Sequence, residues 1–379
     1  MSEVFETNEI AYRACILYEA VRRTPVKKAY KNMKEVKPNV EYWDFEYWYY
    51  RFSNGQHDLN HDRSKDPKSL GLSDMPIDVV DNIVGYLGLV DKLAARKVCR
   101  NMRAVIDDQK SKFGKVELII DGTSCEVHFE DLGIFHYAEE NETYSLETFQ
   151  KTVSLKGDHS EAAVKEFATV INQPKWSFED VTIGLFSEEC YLVNERKSIL
   201  YLNALLSNHK IHVDRLIIHA DTMETLATIL PRFETDHVVF QWGWYSDDAE
   251  KNWLEVIEMD QWKKLTKCEL TNLPKGFPIE ALFHVRECHF IVINLTEEHL
   301  LKIRDILFTS PDFEYFKISD EKDCDSREEF TVLIDRVMGA HAAYDPLTKV
   351  YRIENSKDYI QISVENLMFY ELSIQKIRS

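Results

Sequence analysis

Glycine is scarce in this chain of 379 residues: twelve glycines, about 3% against a usual value of about 7%. Neither GxGxxG nor GxxxxGK[ST] occurs, so a loop that cradles phosphate is not expected. No run of about 18 apolar residues exists to cross a bilayer, and the opening MSEVFETNEI lacks the basic start and apolar stretch of a secretory signal. The expectation is a soluble intracellular protein, cytoplasmic or nuclear, without a membrane partner. The seven cysteines are odd in number, widely spaced and never in a CxxC pair, which argues against a disulfide framework and a thiolate zinc site and for a reducing compartment. Positive charge is also short. Lys plus Arg total 46 against 65 Asp plus Glu, and the formal charge of -19 repels phosphate backbones over most of the surface. What the chain does have is apolar material, 44% with 12% aromatic, enough for several buried cores.

Residues 1–56 read as a three-helix unit. Ile10, Ala14, Leu17 and Val21 share one helical face up to Thr24-Pro25, where Thr24 is expected to cap a second helix with Pro25 at its first position. Val26, Ala29, Tyr30 and Met33 continue the inward stripe to Lys37-Pro38. Phe45, Trp48, Tyr49 and Phe52 form a third face, which Gly55 closes. Between Tyr12 and Lys37, eight basic residues stand against Glu19 and Glu35, a local charge of +6. These basic residues are either the solvated faces of the first two helices or a surface for a DNA groove. The segment, above all YWYYRFSNG with Asp58-Leu59 after it, resembles the helix-turn-helix of mariner-type transposases, and DNA is therefore the alternative partner. Acidic residues from Glu35 onward bring the unit close to neutrality, so at most weak, sequence-indifferent DNA binding is expected.

HDLNHDRSKDPKS, residues 57–69, is polar, without apolar periodicity, and reads as a linker. His57 and His61 have metal-compatible spacing, but no further ligand pattern completes a zinc set. Residues 70–113 then present Leu72 and Met75-Pro76 as an entry. Val79, Val80, Ile83, Val84 and Leu87 follow as an apolar helix, Asp91 and Leu93 as a second, and Arg96, Val98, Cys99, Arg100 and Arg103 as a third. This run resembles the F-box. Three short helices of about forty residues cannot bury all their apolar surface alone, and the excess points to a partner. By the resemblance that partner is a Skp-family adaptor, and through it a cullin-RING ubiquitin ligase. The residues expected to hold the adaptor are Leu72, Met75, Pro76, Val79, Ile83, Leu87, Leu93, Arg96, Val98, Cys99 and Arg103. Gly85 inside the first helix, costing about 1 kcal/mol relative to Ala, and Gly88 depart from the usual outline.

Residues 114–379 open with alternating runs Val116-Leu118-Ile120 and Cys125-Val127-Phe129 around Asp121-Gly122, a hairpin signal. After a polar insertion at 138–145, strands and helices alternate. Helices are expected near 160–172, 195–208, 222–232, 250–263, 277–283 and 296–308, and strands near 178–184, 213–219, 236–241, 266–270, 285–291 and 313–318. Asp221 with Glu224, and Thr296, look like helix caps. Strands recurring every twenty to thirty-five residues, roughly the period of solenoid repeats, must lie parallel with right-handed crossovers. The tail, 350–364, reads as two strands around Asn355-Ser356 that cap the array. The expected fold class is thus multidomain α plus α/β: a trihelical unit, a helical F-box, and a leucine-rich-repeat-like array of strand-helix units with flanking hairpins.

This domain order resembles the nematode F-box A family, with residues 114–379 in the place of its FTH domain. By that resemblance the C-terminal domain captures a protein substrate or regulatory partner, and the chain is a substrate-recognition subunit of a Skp-cullin-F-box ligase, not an enzyme. The alternative is a DNA-associated regulator using the N-terminal unit. Within Phe240-Gln241-Trp242-Gly243-Trp244-Tyr245, Trp242, Trp244 and Tyr245 are candidate substrate anchors if exposed; otherwise they cover the core. Cys288-His289 with His284, and His209 with His212, lack the ordered surroundings of a nucleophile-base pair. The acidic stretch at 320–326 lacks the glycine and terminal glutamate of a calcium loop. No catalytic residue, cofactor or metal is expected.

Overall fold

The computed structural model describes residues 8–66, 71, 75–130, 132–140, 143–148, 151–186, 192–206, 209–220, 222–242, 253–273, 277–292, 295–309, 312–320, 327–339, 348–353, 356–366 and 370–378. The chain divides into two compact units, Met1–Asp74 and Met75–Ser379.

In the first unit, helices α1 (Glu9–Val21), α2 (Val26–Val36) and α3 (Tyr42–Ser53) follow the apolar periodicity. Asn8 caps α1, its side-chain oxygen accepting from the amides of Ile10 and Ala11 at 3.1 Å each. Thr24 does not cap α2. Pro25 holds that position without a side-chain bond, while the Thr24 carbonyl accepts from the Tyr49 hydroxyl. Ile16, Ala29, Phe45, Trp48 and Phe52 make the core, with the Arg13 guanidinium 4.1 Å from the Trp48 ring centre. Gly55, at φ 83, ends α3 in the left-handed conformation that the sequence predicts, and the Gln56 amide reaches back to the Arg51 carbonyl.

Residues 57–66, expected to form part of a linker, fold back onto these helices. The Arg13 guanidinium donates to the Leu59 carbonyl at 2.9 Å, Arg63 pairs with Asp44 at 2.6 Å, and Asp66 accepts from Tyr47 and contacts His61. Polar bonds to α1 and α3 hold this segment, so it carries no hydrophobic period to read. His57 is engaged by the Phe52 carbonyl at 3.1 Å and His61 by Asp66 at 2.6 Å, and no metal-binding cluster occurs among the described residues.

The second unit joins three helices, α4 (Ile77–Gly85), α5 (Leu89–Arg96) and α6 (Arg100–Asp108), to a mixed 15-stranded sheet. Strands β1 (Ser111–Asp121), β6 (Trp176–Phe186), β7 (Ile211–Ala220), β9 (His237–Trp242), β10 (Lys267–Leu273), β11 (Glu287–Val292) and β12 (Tyr315–Asp320) are parallel neighbours in chain order. The two-residue β8 (Phe233–Glu234) pairs with β7. On one flank β2 (Ser124–Phe129) pairs with β1 through the expected tight turn, Asp121 opposite Ser124. On the other, β15 (Tyr370–Ile377), β14 (Tyr359–Asn366) and β13 (Thr348–Arg352) follow β12 antiparallel.

Between the parallel strands run α7 (His159–Ile171), α8 (Leu192–Leu205), α9 (Met223–Ile229), α10 (Trp253–Glu258), α11 (Asp260–Lys263), α12 (Glu297–Thr309) and, after β12, α13 (Arg327–Met338). The helix expected at 250–263 is split in its described part at Met259, which caps α11, and the one expected at 277–283 is a single 3-10 turn, Ile279–Leu282, after Pro278. The N-cap of α9 is Thr222, whose hydroxyl makes no capping bond to a backbone amide and instead meets the Thr225 hydroxyl at 3.0 Å; Asp221 lies outside the described residues. Thr296 does cap α12, its hydroxyl accepting from the His299 amide at 3.3 Å.

Register explains the packing. Val127, Leu118, Ile183, Ile218, Phe240, Leu270, Phe290, Ile318 and Leu372 are successive cross-strand partners, and all are buried. The residues just before them on the seven parallel strands, Glu117, Thr182, Ile217, Val239, Glu269, His289 and Lys317, are also mutual partners and alternate to the opposite face. That face carries ion pairs between strands, among them Arg215–Asp180 at 3.0 Å, Lys267–Glu287 at 2.8 Å and Lys317–Glu371 at 2.9 Å. Parallel sheets covered on both faces read as continuous apolar runs. Here charged pairs stand on the second face, although Thr182, Val239 and Ser319 on that face are buried, so it is polar but only partly open.

The expected polar insertion at 138–145 contains strand instead. β3 (Gly133–Glu140), β4 (Thr143–Glu147) and β5 (Thr152–Lys156) extend β2 as an antiparallel meander. Tyr137, Tyr144 and Leu146 supply its apolar contacts with the core.

Candidate adaptor-docking surface

Helices α4 to α6 are short, eight or nine residues each, and amphipathic. Their inward residues Val80, Val84, Leu89, Met102, Val105 and Ile106 belong to the same buried cluster as the sheet. An apolar residue one position away on a helix is rotated by about 100°, which separates Val79 and Ile83 from Val80 and Val84. Val79 and Ile83 are 44% and 42% exposed, whereas Val80 and Val84 are 7% and 0%. Tyr86 continues the outer row, and Met75, Ile77 and Val98 are likewise exposed. Isolated exposed aliphatic residues are ordinary; here several stand in a row on short helices.

Of the expected adaptor contacts, Met75, Val79, Ile83 and Val98 stand in solvent, and Pro76 is exposed at the N-cap of α4. Leu72 lies outside the described residues. Leu87 and Leu93 are half-buried against the cluster, so they shape the surface from behind. Arg96 ends α5 rather than beginning the third helix, and its guanidinium forms two bonds to Asp107, at 2.6 and 3.0 Å. Arg103 donates to the Arg96 carbonyl at 3.3 Å. Cys99 is the N-cap of α6, its sulfur accepting from the Met102 amide at 3.4 Å. The sequence reading named Val79 and Ile83 as contacts but not Ile77 and Tyr86, which no motif position singles out.

Beneath this surface a recess of about 580 Å³ lies between α4, α6 and β1. Lys92, 4% exposed, reaches into it, its ammonium held by Ser111 Oγ at 2.5 Å and Gln109 Oε1 at 3.2 Å. Burial pulls the Lys92 pKa below its ordinary 10.5, only partly offset by Asp81. A lysine whose pKa falls on folding weakens the folded state while it is charged, and this penalty fades as pH rises towards 10.5. Lys92→Met is therefore expected to raise the melting temperature at pH 7, with a gain over wild type that shrinks in melts at increasingly alkaline pH.

Among the described residues, Cys288, His289, His284 and His212 are not brought together as a nucleophile-base pair. Cys288 faces the buried side of β11 and touches Cys268 across the strand pair at 3.1 Å, while His289 faces the other side. The His284 ring is bonded to the Trp262 carbonyl at 2.8 Å, and His212 pairs with Glu234 at 3.0 Å. Residues 321–326 of the acidic stretch lie outside the described residues. Trp242 closes β9, its side chain outside the described set, as are Trp244 and Tyr245. Phe240 is core, packed edge-on to Trp253. None of the described helices is long and apolar enough to cross a membrane.

Comparison with known proteins agrees with this geometry. Residues 9–56 match the HTH domain in Mos1 transposase, residues 72–114 the F-box domain, and residues 197–335 the FTH domain. A Caenorhabditis elegans protein described as F-box A protein 224 is 29% identical over 342 residues, covering 84% of this chain and 85% of that protein. With matches to these three domains in this order and a similarity that spans them, the chain is similar to F-box A protein 224 over most of the length of both.

Proposed function

We propose that this protein is the substrate-recognition subunit of a Skp-cullin-F-box ubiquitin ligase, acting without chemistry of its own by holding a target close to the charged ubiquitin carrier. The observation that carries the proposal is the exposed row Val79, Ile83 and Tyr86, with Met75, Pro76 and Val98 nearby, on helices whose other faces are already buried. Leu72 completes the proposed entry, while Leu87, Leu93, Arg96, Cys99 and Arg103 support it. In this reading residues 1–56 and 70–113 are separate modules joined by 57–69, and 114–379 is the capture domain. Seven parallel strands in chain order support describing that domain as a leucine-rich-repeat-like array, with the antiparallel strands as caps. Its charged sheet face suits protein capture, and the strand end at Trp242, with Trp244 and Tyr245 after it, is the first place to look for anchors.

Affinity purification of the tagged chain should recover a Skp-family protein and a cullin at both low and physiological salt. A chimera carrying residues 114–379 of another F-box protein should keep the adaptor and exchange the captured target. Retention of the original target by the chimera would place recognition in the N-terminal unit.

A further inference from the structure

The outward face of α3 is built from aromatic rings and carboxylates. Trp43 is 61% exposed and Tyr50 49%, each about one turn from Glu46 on either side, and Tyr42 beside them donates from its hydroxyl to Glu46 at 2.9 Å. Glu41, at the N-cap, and Asp44 add negative charge to the first turn. Arg22, Arg23, Lys27, Lys28, Lys31 and Lys34 lie elsewhere, at the end of α1 and on α2, whereas Arg63 lies against this face. Arg51, the one cation of α3, is largely buried and lies 3.6 Å from Asp66.

In a helix-turn-helix pair the second helix enters the DNA groove with its N-terminal residues against the bases. Here that helix is α3, and its first turns would bring Glu41, Asp44 and Glu46 against phosphates while offering no cationic side chain to a base edge. The same row already accepts a cation of a different kind. Arg63, held by Asp44, lies 4.0 Å from the Tyr47 ring centre and 5.2 Å from that of Trp43. A planar guanidinium between aromatic rings and a carboxylate satisfies both stacking and charge. Tyr50 and Glu46 continue the same combination of ring and carboxylate along the helix, and Trp43, in contact with Arg63, still leaves most of its ring exposed.

We infer that the outward face of α3 docks an arginine-bearing segment of a partner protein, independently of the F-box contact. Fluorescence anisotropy on the full chain at physiological salt tests it with three labelled probes: an alanine-based helical peptide with arginines at i, i+4 spacing, its lysine counterpart, and a mixed-sequence DNA duplex. A chain of charge -19 attracts any basic peptide, so the decisive comparison removes a ring and no charge. Trp43→Ala should weaken the arginine peptide about tenfold, Tyr50→Ala should act in the same direction, and the lysine peptide should bind less tightly than the arginine one. Unchanged melts are expected for both variants, and Trp43→Phe should restore most of the affinity if Trp43→Ala disturbs the fold. Equal binding by wild type and both alanine variants, no peptide binding, or duplex binding that Trp43→Ala abolishes would each overturn the inference.

Discussion

Ile83→Asp will abolish recovery of the Skp-family adaptor while leaving the melting temperature of the chain near the wild-type value. Ile83 is 42% exposed in the free protein, so the new carboxylate stays hydrated there and costs the fold little. In the complex it would be buried without a partner, at a cost of roughly 1 to 3 kcal/mol or more on top of the lost apolar contact. Central anchors of this kind carry about 2 kcal/mol or more each, so a weakening of at least about thirtyfold is expected. The adjacent substitution provides the control. Val84 is 0% exposed, and Val84→Asp puts the same carboxylate among Val80, Met102 and Ile106. It should lose the cooperative melt, and binding only as a consequence. Adaptor recovery by a folded Ile83→Asp protein, or loss of its fold, would contradict the assignment of the outer row.

Trp262→Ala should lower the stability of the C-terminal unit by about 3 to 5 kcal/mol, the range for emptying a buried aromatic site. Trp262 is 1% exposed, packs 6.2 Å from Trp253 between ring centres, and donates from its indole nitrogen to the Ala281 carbonyl at 3.0 Å. Trp253 in turn lies 4.3 Å from Phe277. The substitution therefore leaves a cavity in an aromatic cluster and an unpaired carbonyl together, and a stability of about 5 to 15 kcal/mol cannot absorb that easily. Chemical denaturation followed by circular dichroism measures the change. A loss below about 1 kcal/mol would show that this cluster is not the packed core described.

The sequence disclosed those elements whose side chains all point one way. Phe45, Trp48, Tyr49 and Phe52 are spaced as a helix face and are buried as one, and the alternation at Val116-Leu118-Ile120 gives both β1 and its inward side. Legibility failed where a residue's environment depends on the rest of the chain. Val79 and Val80 look equivalent in a run of apolar letters, yet the sheet covers only one of them. The strands β3 to β5 went unread although Tyr144 with Leu146 and Val153 with Leu155 alternate with polar residues, because each run is only five residues long and the charged ends of β3 and β4 read as a polar insertion. Likewise, the residues from His57 to Asp66 show no pattern because hydrogen bonds and ion pairs hold most of them and Leu59 alone adds an aliphatic contact with the core. Arg96 was legible as an F-box position but not as the partner of Asp107, eleven residues away.

Hydrogen-deuterium exchange of the full chain, with and without a purified Skp-family adaptor, tests the central claim most directly. Adaptor binding should slow exchange across Ile77–Gly85 and Leu89–Arg96 and leave the strands from β6 to β12 unchanged. No slowing in those two helices at saturating adaptor, or slowing confined to the C-terminal sheet, would contradict the account.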